Sequence, residues 1–494
     1  MSKKMITKLN FDSFRDKVYA CWIGKNIGGT LGGPYEHVHE ILDIQGFATE
    51  AGVPLPNDDL DLQLVWLHAV EKIGPRAINA ATLGEFWLSF IPPHWNEYGI
   101  GKANMKRGLI PPLAGDYQND WKDSNGAWIR TEIWASLYPA APSLAAKYAI
   151  EDAKVDHGAG EGTYAAAFVA AMQSAAFAIK DLRKCIEIGL AEIPAECRTA
   201  DSIRFAIECY EKGMAPMDVR NLIQQRNADI GNGWFEAPSN VAYAVIGLLW
   251  GEGDFKKTMI TATNCGDDTD CTAATVGATL GILGGMEIIP TDWRAHVGDD
   301  IVTISIDRGG VCRGLPDTCT KLTDRVVKQT PHALFASCAK VELTDGADEI
   351  PENIAELLLA ECKSDRNMDS VKPYSMHFKF TFVSADVTLD RAPDVEPGSE
   401  IKVKLTCSSN WWTYENAQYT LRCRWWLPDG FTVSGGKQTM MLPRYSVNRA
   451  YDPCQTTEFT IRAGERVEPI NRCVLEIVGD GRVTPMYIPI TLLG

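Results

Sequence analysis

The sequence has few of the features that mark membrane, secreted or nucleic-acid-binding proteins. No stretch approaches about 18 consecutive apolar residues without a charge or a helix breaker, so we expect no membrane span. The first residues lack the apolar run of a signal peptide. The net charge of −16 argues against a nucleic-acid-binding surface, which needs clustered Lys and Arg.

The 14 cysteines form neither CxxC pairs nor a regular framework. Without an export signal, this pattern favours reduced, buried thiols over disulfides, and the cytoplasm is the expected location. Long-period repeats and low-complexity tracts are also missing. A chain of 494 residues is too long for one ordinary core, so we expect two or three domains.

Residues 1–340 are predicted to form an all-α domain, with the helical pattern beginning near Asp12. Apolar residues recur at helical spacing, as in DLQLVWLHAVEKI, and several other runs are rich in Ala and Gly, which lets helices approach closely. One face of the quoted helix is formed by Leu62, Val65, Trp66, Ala69 and Val70.

The pattern changes after a polar segment, 341–373, which we interpret as a linker. Residues 374–494 alternate apolar and polar, with turn residues at intervals of roughly 10 to 15 residues, and this predicts a small antiparallel β-sandwich of unknown role. Its tryptophans could bind carbohydrate or could fill the sandwich core. They are Trp411, Trp412, Trp425 and Trp426.

The stretch GDDTDC places Asp267, Asp268 and Asp270 at the start of a helix that begins near Thr269. A helix N-terminus accommodates one or two carboxylates through its free N–H groups and its dipole, and capping is the simpler interpretation. Three carboxylates within four residues repel one another, which indicates a bound cation. Carboxylate and hydroxyl oxygens suit Mg²⁺, Mn²⁺ or Ca²⁺ rather than zinc.

A second acidic cluster repeats this arrangement. Asn57, Asp58 and Asp59 precede the amphipathic helix DLQLVWLHAVEKI. Two oxygen-rich clusters, each at the start of a helix, could together hold a pair of metal ions. The alternative is two independently capped helices.

Three loop segments could complete a site. IGGTLGGPYE is a glycine-rich turn ending in Glu36, and VDHGAGEG places Asp156 and His157 before a turn that can present N–H groups to a phosphate or a ribose. NGAWIR offers Asn125, Gly126 and Arg130. Aromatic side chains could stack on a sugar or could pack in the interior; these are Trp95, Trp234 and Phe235.

The order and chemistry of these segments resemble the ADP-ribosylglycohydrolase family, which includes the enzyme that reactivates ADP-ribosylated dinitrogenase reductase. The family signature close to IGDxxGxxxE looks like residues 27–36, and its T-D-D looks like residues 57–59. N-G-A-x-x-R matches residues 125–130, and G-D-x-D-T is similar to GDDTDC. The resemblance covers about residues 12–300, so the β domain lies outside it.

The resemblance implies a site for two Mg²⁺ or Mn²⁺ ions that hold a ribose and polarise it. Glu36 or Asp58 would position or deprotonate the water that attacks the anomeric carbon. The implied metal ligands are Asn57, Asp58, Asp59, Asp268, Asp270 and Cys271. The residues expected to contact substrate are Asn125, Gly126, Asp156, His157, Gly158, Gly160 and Trp234.

The sequence departs from the family pattern at two positions that bear on the second metal. Gly29 stands where the signature has Asp, and Cys271 stands where the family usually has a metal-binding Thr. Because a thiol is a poor ligand for Mg²⁺, the second ion could be weaker, differently ligated or absent.

The function that follows is a divalent-metal-dependent glycohydrolase that cleaves a ribosyl-type N- or O-glycosidic bond in a small-molecule or protein-linked substrate. The alternatives are a glycosidase for another furanoside or oligosaccharide, and a non-catalytic binder of ADP-ribose or a sugar.

Overall fold

The helical and β parts of the chain follow one another as the sequence predicts. In the computed structural model, the described residues are 7–307, 313–362, 367–368, 370–409, 419–442 and 454–494. Helices dominate the first part of the chain. The helices among these residues are α1 Phe11–Gly32, α2 Asp58–Ile73, α3 Ala80–Phe90, α4 Asn96–Arg107, α5 Leu113–Asp116, α6 Glu132–Leu137, α7 Pro142–Ala153, α8 Glu161–Ala176, α9 Leu182–Leu190, α10 Arg198–Glu211, α11 Pro216–Arg226, α12 Ala237–Trp250, α13 Phe255–Asn264, α14 Thr269–Gly284, α15 Thr291–Val297, α16 Cys319–Ala336 and α17 Ile354–Glu361.

The β domain is a pair of antiparallel sheets that face each other. One sheet has the strand order β11-β10-β6-β8 and the other has the order β3-β4-β5-β9-β7. A separate parallel pair, β1-β2, belongs to the helical part. The strands are β1 Thr7–Asn10, β2 Val341–Thr344, β3 Ser375–Lys379, β4 Val383–Leu389, β5 Glu400–Ser409, β6 Tyr419–Trp426, β7 Thr432–Gly435, β8 Thr439–Leu442, β9 Cys454–Arg462, β10 Ile470–Gly479 and β11 Met486–Leu493.

The segment expected to be a linker contributes structure to the helical domain. β2 pairs with β1 at the start of the chain, with Thr7 opposite Val341. α17 buries Ile354 and Leu358 in the core of the helical domain. The helical core therefore continues beyond residue 340, to at least the end of α17.

Helices α1 and α14 pack antiparallel at very short distance, and this contact positions the acidic clusters. A Cβ atom on Gly24 would lie 2.2 Å from the carbonyl oxygen of Gly277, and one on Gly32 would lie 2.3 Å from that of Thr269. Because only glycine allows this approach, the end of α1 lies directly beside the start of α14. The turn that carries Glu36 thus reaches the GDDTDC segment.

The stretch Thr269–Ile288, which contains α14, is long and apolar enough to cross a membrane. In the structure, 72% of its apolar window is buried inside the protein, mainly against α1 and neighbouring helices. The interior helix of a globular domain passes the same test of length and composition.

The sandwich has its own hydrophobic core, and the helical domain contributes to it. Leu109, Leu113 and Tyr117, which follow α4, are buried together with the inward side chains of both sheets. Thr491 Oγ1 donates a hydrogen bond to the carbonyl oxygen of Gly108 at 2.8 Å. The two domains therefore share an apolar contact at the C-terminal end of α4.

The sequence-predicted tryptophans of the sandwich fall into two groups. Trp425 is half-buried and packs edge-on against Phe459, whereas Trp426 is exposed with the Arg424 guanidinium over its ring. Trp411 and Trp412 lie outside the described residues. No disulfide joins the cysteines that the structure describes.

Candidate metal centre

A cavity of about 670 Å³ lies where the turn after α1, the N-termini of α2, α4 and α14, and the segment 121–129 meet. Its wall carries an unusual number of acidic side chains for so small a space. The carboxylates that line it are Glu36, Asp58, Glu97, Asp268 and Asp270.

Glu36, Asp268 and Asp270, which we call the cavity cluster, can each offer an oxygen atom within 4.8 Å of the others. Asn125 Nδ2 donates to Asp268 Oδ2 at 2.6 Å and is itself held by Trp128. Among the described residues, Asp268 Oδ1 and Asp270 Oδ1 are buried without a hydrogen-bond partner. Buried carboxylate oxygens left without donors fit a hard divalent cation.

The electrostatics of the cavity cluster agree with that fit. Burial raises the pKa of Asp268 and of Asp270, and repulsion from neighbouring carboxylates adds to the effect. Partial burial and the charge of Asp58 raise the pKa of Glu36 to about 7. A bound cation would stabilise the ionised forms of all three groups.

Asp58, at the first position of α2, is held by a residue from α4. Tyr98 Oη donates to Asp58 Oδ2 at 3.0 Å, and both side chains line the cavity. Burial raises the pKa of Asp58, while the hydrogen bond from Tyr98 opposes that rise. One oxygen of Asp58 is thus fixed by the phenol, and the carboxylate faces the cavity.

Asp59, the next residue, is part of a different group. It is fully buried, does not line the cavity, and forms what we call the interior cluster with Lys25, Glu132 and Cys271; of these, Cys271 also lines the cavity. Lys25 Nζ lies 3.3 Å from Asp59 Oδ2 and 3.1 Å from Glu132 Oε1. The Cys271 thiol donates to Asp59 Oδ1 at 3.4 Å.

The interior cluster contains its own cation, although one ammonium faces two carboxylates. Burial raises the pKa of Asp59 well above its usual value, and Lys25 opposes that rise. Burial alone would lower the pKa of Lys25, but the carboxylates of Glu132 and Asp59 outweigh it and raise that pKa. Burial raises the pKa of Cys271 well above its usual value, so its thiol stays protonated. Asp59, Asp270 and Cys271 each offer a ligand atom within 4.8 Å of one another. However, the cation that lies beside Asp59 is the ammonium of Lys25.

Asn57 acts as the N-cap of α2, and its side chain also fills the space beside Gly29. Its Oδ1 accepts from the backbone N–H of Asp59 at 2.8 Å. A Cβ atom on Gly29 would lie 1.7 Å from Asn57 Nδ2. The Asn57 amide therefore occupies the space that any side chain at position 29 would need.

Asp267 points away from the cavity although it adjoins Asp268. Its backbone has φ +70°, and its carboxylate accepts hydrogen bonds from the backbone N–H of Phe235 at 3.0 Å and from Asn240 Nδ2 at 2.7 Å. His39 Nδ1 lies 2.8 Å from its other oxygen. Asp267 holds the loop of Phe235 in place, so only two of the three clustered aspartates reach the cavity.

The segment VDHGAGEG lies behind the cavity wall. Arg130 donates to both Asp156 oxygens, at 2.7 and 3.0 Å, and His157 Nε2 lies 3.3 Å from Ser124 Oγ. Ser124 and Glu97 separate these residues from the cavity, and burial raises the pKa of Glu97 to about 7. Asp156 and His157 are thus placed to support lining residues.

The predicted glycines divide in the same way. Gly126 lines the cavity, and a Cβ there would lie 2.0 Å from Glu97 Oε1. Gly158 packs against Asp116 and Gly160 against the carbonyl of Lys122, so both serve the turn behind the wall.

Aromatic rings form the rest of the cavity wall. Trp95, Trp121 and Phe235 line it. Trp234 is not among the lining residues; its ring packs edge-on against Trp121 at 6.0 Å and against His39 at 4.9 Å. The aromatic surface that faces the cavity beside this loop is that of Phe235.

Several residues of this centre were not predicted from the sequence, among them Lys25, Glu132, Glu97 and Tyr98. Lys25 could have been noticed as a charged residue inside the apolar run ACWIGKNIGG, which has no solvent-facing side in the structure. Glu97 and Tyr98 carry no local signal, because they reach the cavity only through the packing of α4.

Comparisons with known proteins address the helical domain. A family model described as ADP-ribosylglycohydrolase matches residues 11–331. No curated protein matches the chain.

Three solved structures resemble parts of this chain only weakly, with low sequence identity and low TM-scores. An ADP-ribosylglycohydrolase-related protein complex shares 19% identity with a TM-score of 0.42, covering 65% of this chain and 99% of that one. A FixG-related protein from Vibrio parahaemolyticus shares 9% with a TM-score of 0.18, covering 23% and 97%. The GAE domain of GGA2p from Saccharomyces cerevisiae shares 11% with a TM-score of 0.17, covering 24% and 96%.

Proposed function

Because the chain belongs to the ADP-ribosylglycohydrolase family, we propose that it is a divalent-metal-dependent hydrolase of a ribosyl-type N- or O-glycosidic bond. The observation that carries the proposal is the cavity cluster, in which Asp268 and Asp270 keep buried oxygens without hydrogen-bond partners in the described structure. Glu36, Asp58, Asp268 and Asp270 would hold Mg²⁺ or Mn²⁺. Such an ion supplies Lewis-acid polarisation of the sugar and of a bound water.

The side chains around the cavity cluster would orient its carboxylates and accept the proton of the attacking water. Asn125 fixes the orientation of Asp268 through its 2.6 Å hydrogen bond. Tyr98 holds one oxygen of Asp58, and the other oxygen would contact the ion or accept a proton from the attacking water. Glu36, at the mouth of the cavity, is the second candidate for this role because its carboxylate lies beside Asp268 and Asp270 in the cavity cluster.

The substrate would lie between the cavity cluster and the aromatic wall. Trp95, Trp121 and Phe235 offer ring faces or edges for the sugar or for an attached base. Asp156, His157, Gly158 and Gly160 would act one layer back, by fixing Ser124 and Glu97. A contact of Trp234 with substrate stays a prediction, as do the cytoplasmic location and the lack of a nucleic-acid-binding surface.

One observation favours a second candidate, a glycosidase for an uncharged furanoside or oligosaccharide. Among the described residues that line the cavity there is neither Lys nor Arg, while five carboxylates are present. A diphosphate would have to rely on backbone N–H groups and on the metal for its binding.

The test is direct assay of the full chain with Mg²⁺ or Mn²⁺. Release of ADP-ribose from peptides carrying it on Arg or Ser, or from modified nucleic acid, supports the first candidate. Hydrolysis of a nitrophenyl furanoside alone supports the second. Binding of ADP-ribose without turnover of any substrate makes the chain a non-catalytic binder. Asp268→Asn should abolish turnover and weaken Mn²⁺ binding, and Asp267→Asn, in the same turn but facing away from the cavity, is the matched control for Mn²⁺ binding.

A further inference from the structure

We infer that this centre takes one divalent ion rather than two, and that the buried ammonium of Lys25 supplies the second positive charge. The inference rests on the proposed metal dependence and narrows it: the ion binds at the cavity cluster, and the interior cluster is closed to a metal. It concerns the stoichiometry of the site and the residue that sets it.

The contacts of Lys25 show a cation built into the fold. Its side chain is fully buried within α1, and its Nζ lies 3.3 Å from Asp59 and 3.1 Å from Glu132. Glu132 is held in turn by the side-chain amides of Gln63 at 2.8 Å and Gln173 at 3.2 Å. Because these partners are also fully buried, Lys25 has no alternative position in solvent.

Both oxygens of Asp59 are already occupied. Oδ2 faces the Lys25 ammonium, and Oδ1 accepts from the Cys271 thiol at 3.4 Å. A divalent ion bound to Asp59 would have to displace the ammonium or lie within a few ångströms of it. Repulsion between a dication and a buried ammonium is large, since little water is present to screen it.

Cys271 fits the same arrangement. A cysteine side chain is a weak hydrogen-bond donor, and its soft sulfur is a poor ligand for Mg²⁺ or Mn²⁺. As a donor to Asp59 it completes a cluster that needs no metal. The soft ligand at this position therefore agrees with the presence of Lys25 instead of conflicting with the metal site.

The cavity cluster shows the opposite condition. Asp268 and Asp270 each keep one buried oxygen without a hydrogen-bond partner among the described residues, and the charges that act on them within the cluster are those of other carboxylates. Among the described residues, the cavity cluster thus lacks a cation of the protein, whereas the neighbouring interior cluster contains one.

Manganese binding to the full-length protein tests the inference. Equilibrium dialysis should give one tightly bound Mn²⁺ per chain. Electron paramagnetic resonance of the loaded protein should give the spectrum of an isolated ion, without the exchange coupling of two ions that share a carboxylate.

Variants then assign the stoichiometry to Lys25. Lys25→Met removes the ammonium, and Lys25→Met with Glu132→Gln removes it while keeping the cluster's net charge. Either variant should bind a second Mn²⁺ at least roughly 10-fold more tightly than wild type does, because the opposing buried charge is gone. Glu132→Gln alone and Lys154→Met should each still bind one ion. Lys154 is another buried lysine, 2.8 Å from Glu151, and neither Lys154 nor Glu132 lines the cavity.

Each outcome has a clear meaning. Two coupled ions in wild type overturn the inference and leave the proposed metal dependence intact. No bound ion in wild type overturns both. One ion in wild type and one ion in the folded charge-balanced variant show that Lys25 does not set the count, which also overturns the inference. If both Lys25 variants fail to fold, the wild-type count and spectrum decide.

Discussion

The cavity cluster and the interior cluster both contain carboxylates, and α14 supplies the neighbouring residues Asp270 and Cys271 to one each, but only the interior cluster contains a cation of the protein. In the interior cluster, Lys25 compensates Asp59 and Glu132. In the cavity cluster, Asp268 and Asp270 face each other and Glu36 with no protein cation between them. The difference indicates that, among the acidic residues at these helix starts, those whose charge the protein leaves uncompensated are the ones suited to bind a metal ion.

Removal of the protein's own cation should have the largest effect. Lys25→Met leaves two buried carboxylates without a counterion, and we expect the metal-free protein to lose about 3–5 kcal/mol of unfolding free energy. Urea unfolding measures it. The charge-balanced Lys25→Met/Glu132→Gln variant should recover most of that loss. A single variant as stable as wild type would show that the ion pair is not what balances the interior cluster.

Asp270 lies within ligand distance of Glu36 and Asp268 and also of Asp59 and Cys271, so its replacement acts on the cavity cluster and beside the interior cluster. Asp270→Asn should weaken Mn²⁺ binding by about 100-fold or more. It should also stabilise the metal-free protein by about 1 kcal/mol, since a repelled buried charge is removed. Calorimetric titration and urea unfolding give the two values.

Asp267→Asn is the control for that experiment. It should keep Mn²⁺ affinity close to the wild-type value while costing about 1–3 kcal/mol of stability, because Asp267 holds the Phe235 loop through hydrogen bonds. The reverse pattern would mean that Asp267, and not Asp270, is a ligand.

Substitutions at Gly29 and Asn57 test whether the Asn57 amide fills the space that the side chain of the signature's aspartate would need at position 29. Gly29→Ala should cost about 2 kcal/mol, because the new Cβ would lie 1.7 Å from Asn57 Nδ2. In an Asn57→Ser background, which keeps a capping oxygen, the same change should be nearly neutral in urea unfolding. Additive costs would contradict the proposed compensation.

The smallest effect concerns a carboxyl group that belongs to neither cluster. Burial raises the pKa of Glu97 from 4.5 to about 7, so the folded state binds its proton more tightly than the unfolded state. The stability that this provides is fully present below pH 4.5 and is lost as the pH rises through 7.

Wild type should therefore lose roughly 1–2 kcal/mol relative to Glu97→Gln between about pH 5 and pH 7. Urea unfolding of both metal-free proteins across this range gives the difference. Glu85→Gln, at an exposed site on α3, should leave the wild-type pH dependence unchanged. Parallel pH profiles for wild type and Glu97→Gln would contradict the prediction.

The sequence predicted the helical and β parts correctly, because periodicity is a local property that the chain displays directly. It also predicted acidic clusters at two helix starts, since Asp58 and Asp268 carry that signal in neighbouring residues. It did not predict that Lys25 meets Asp59 or that Tyr98 meets Asp58, because those pairs join residues 34 and 40 positions apart through helix packing. The backbone φ of Asp267, which turns one aspartate away, is likewise set by the turn in three dimensions.

Helix α4 has a practical consequence for work with this protein. Its first turn carries Glu97 and Tyr98 into the cavity, and the segment after its last turn places Leu109 and Leu113 in the core of the sandwich. A fragment that ends at residue 340 would expose that apolar surface and would also remove the strand that pairs with Thr7–Asn10. Expression of the helical domain alone should therefore yield an aggregation-prone product with a distorted cavity wall, and the useful unit for assay and crystallisation includes both domains.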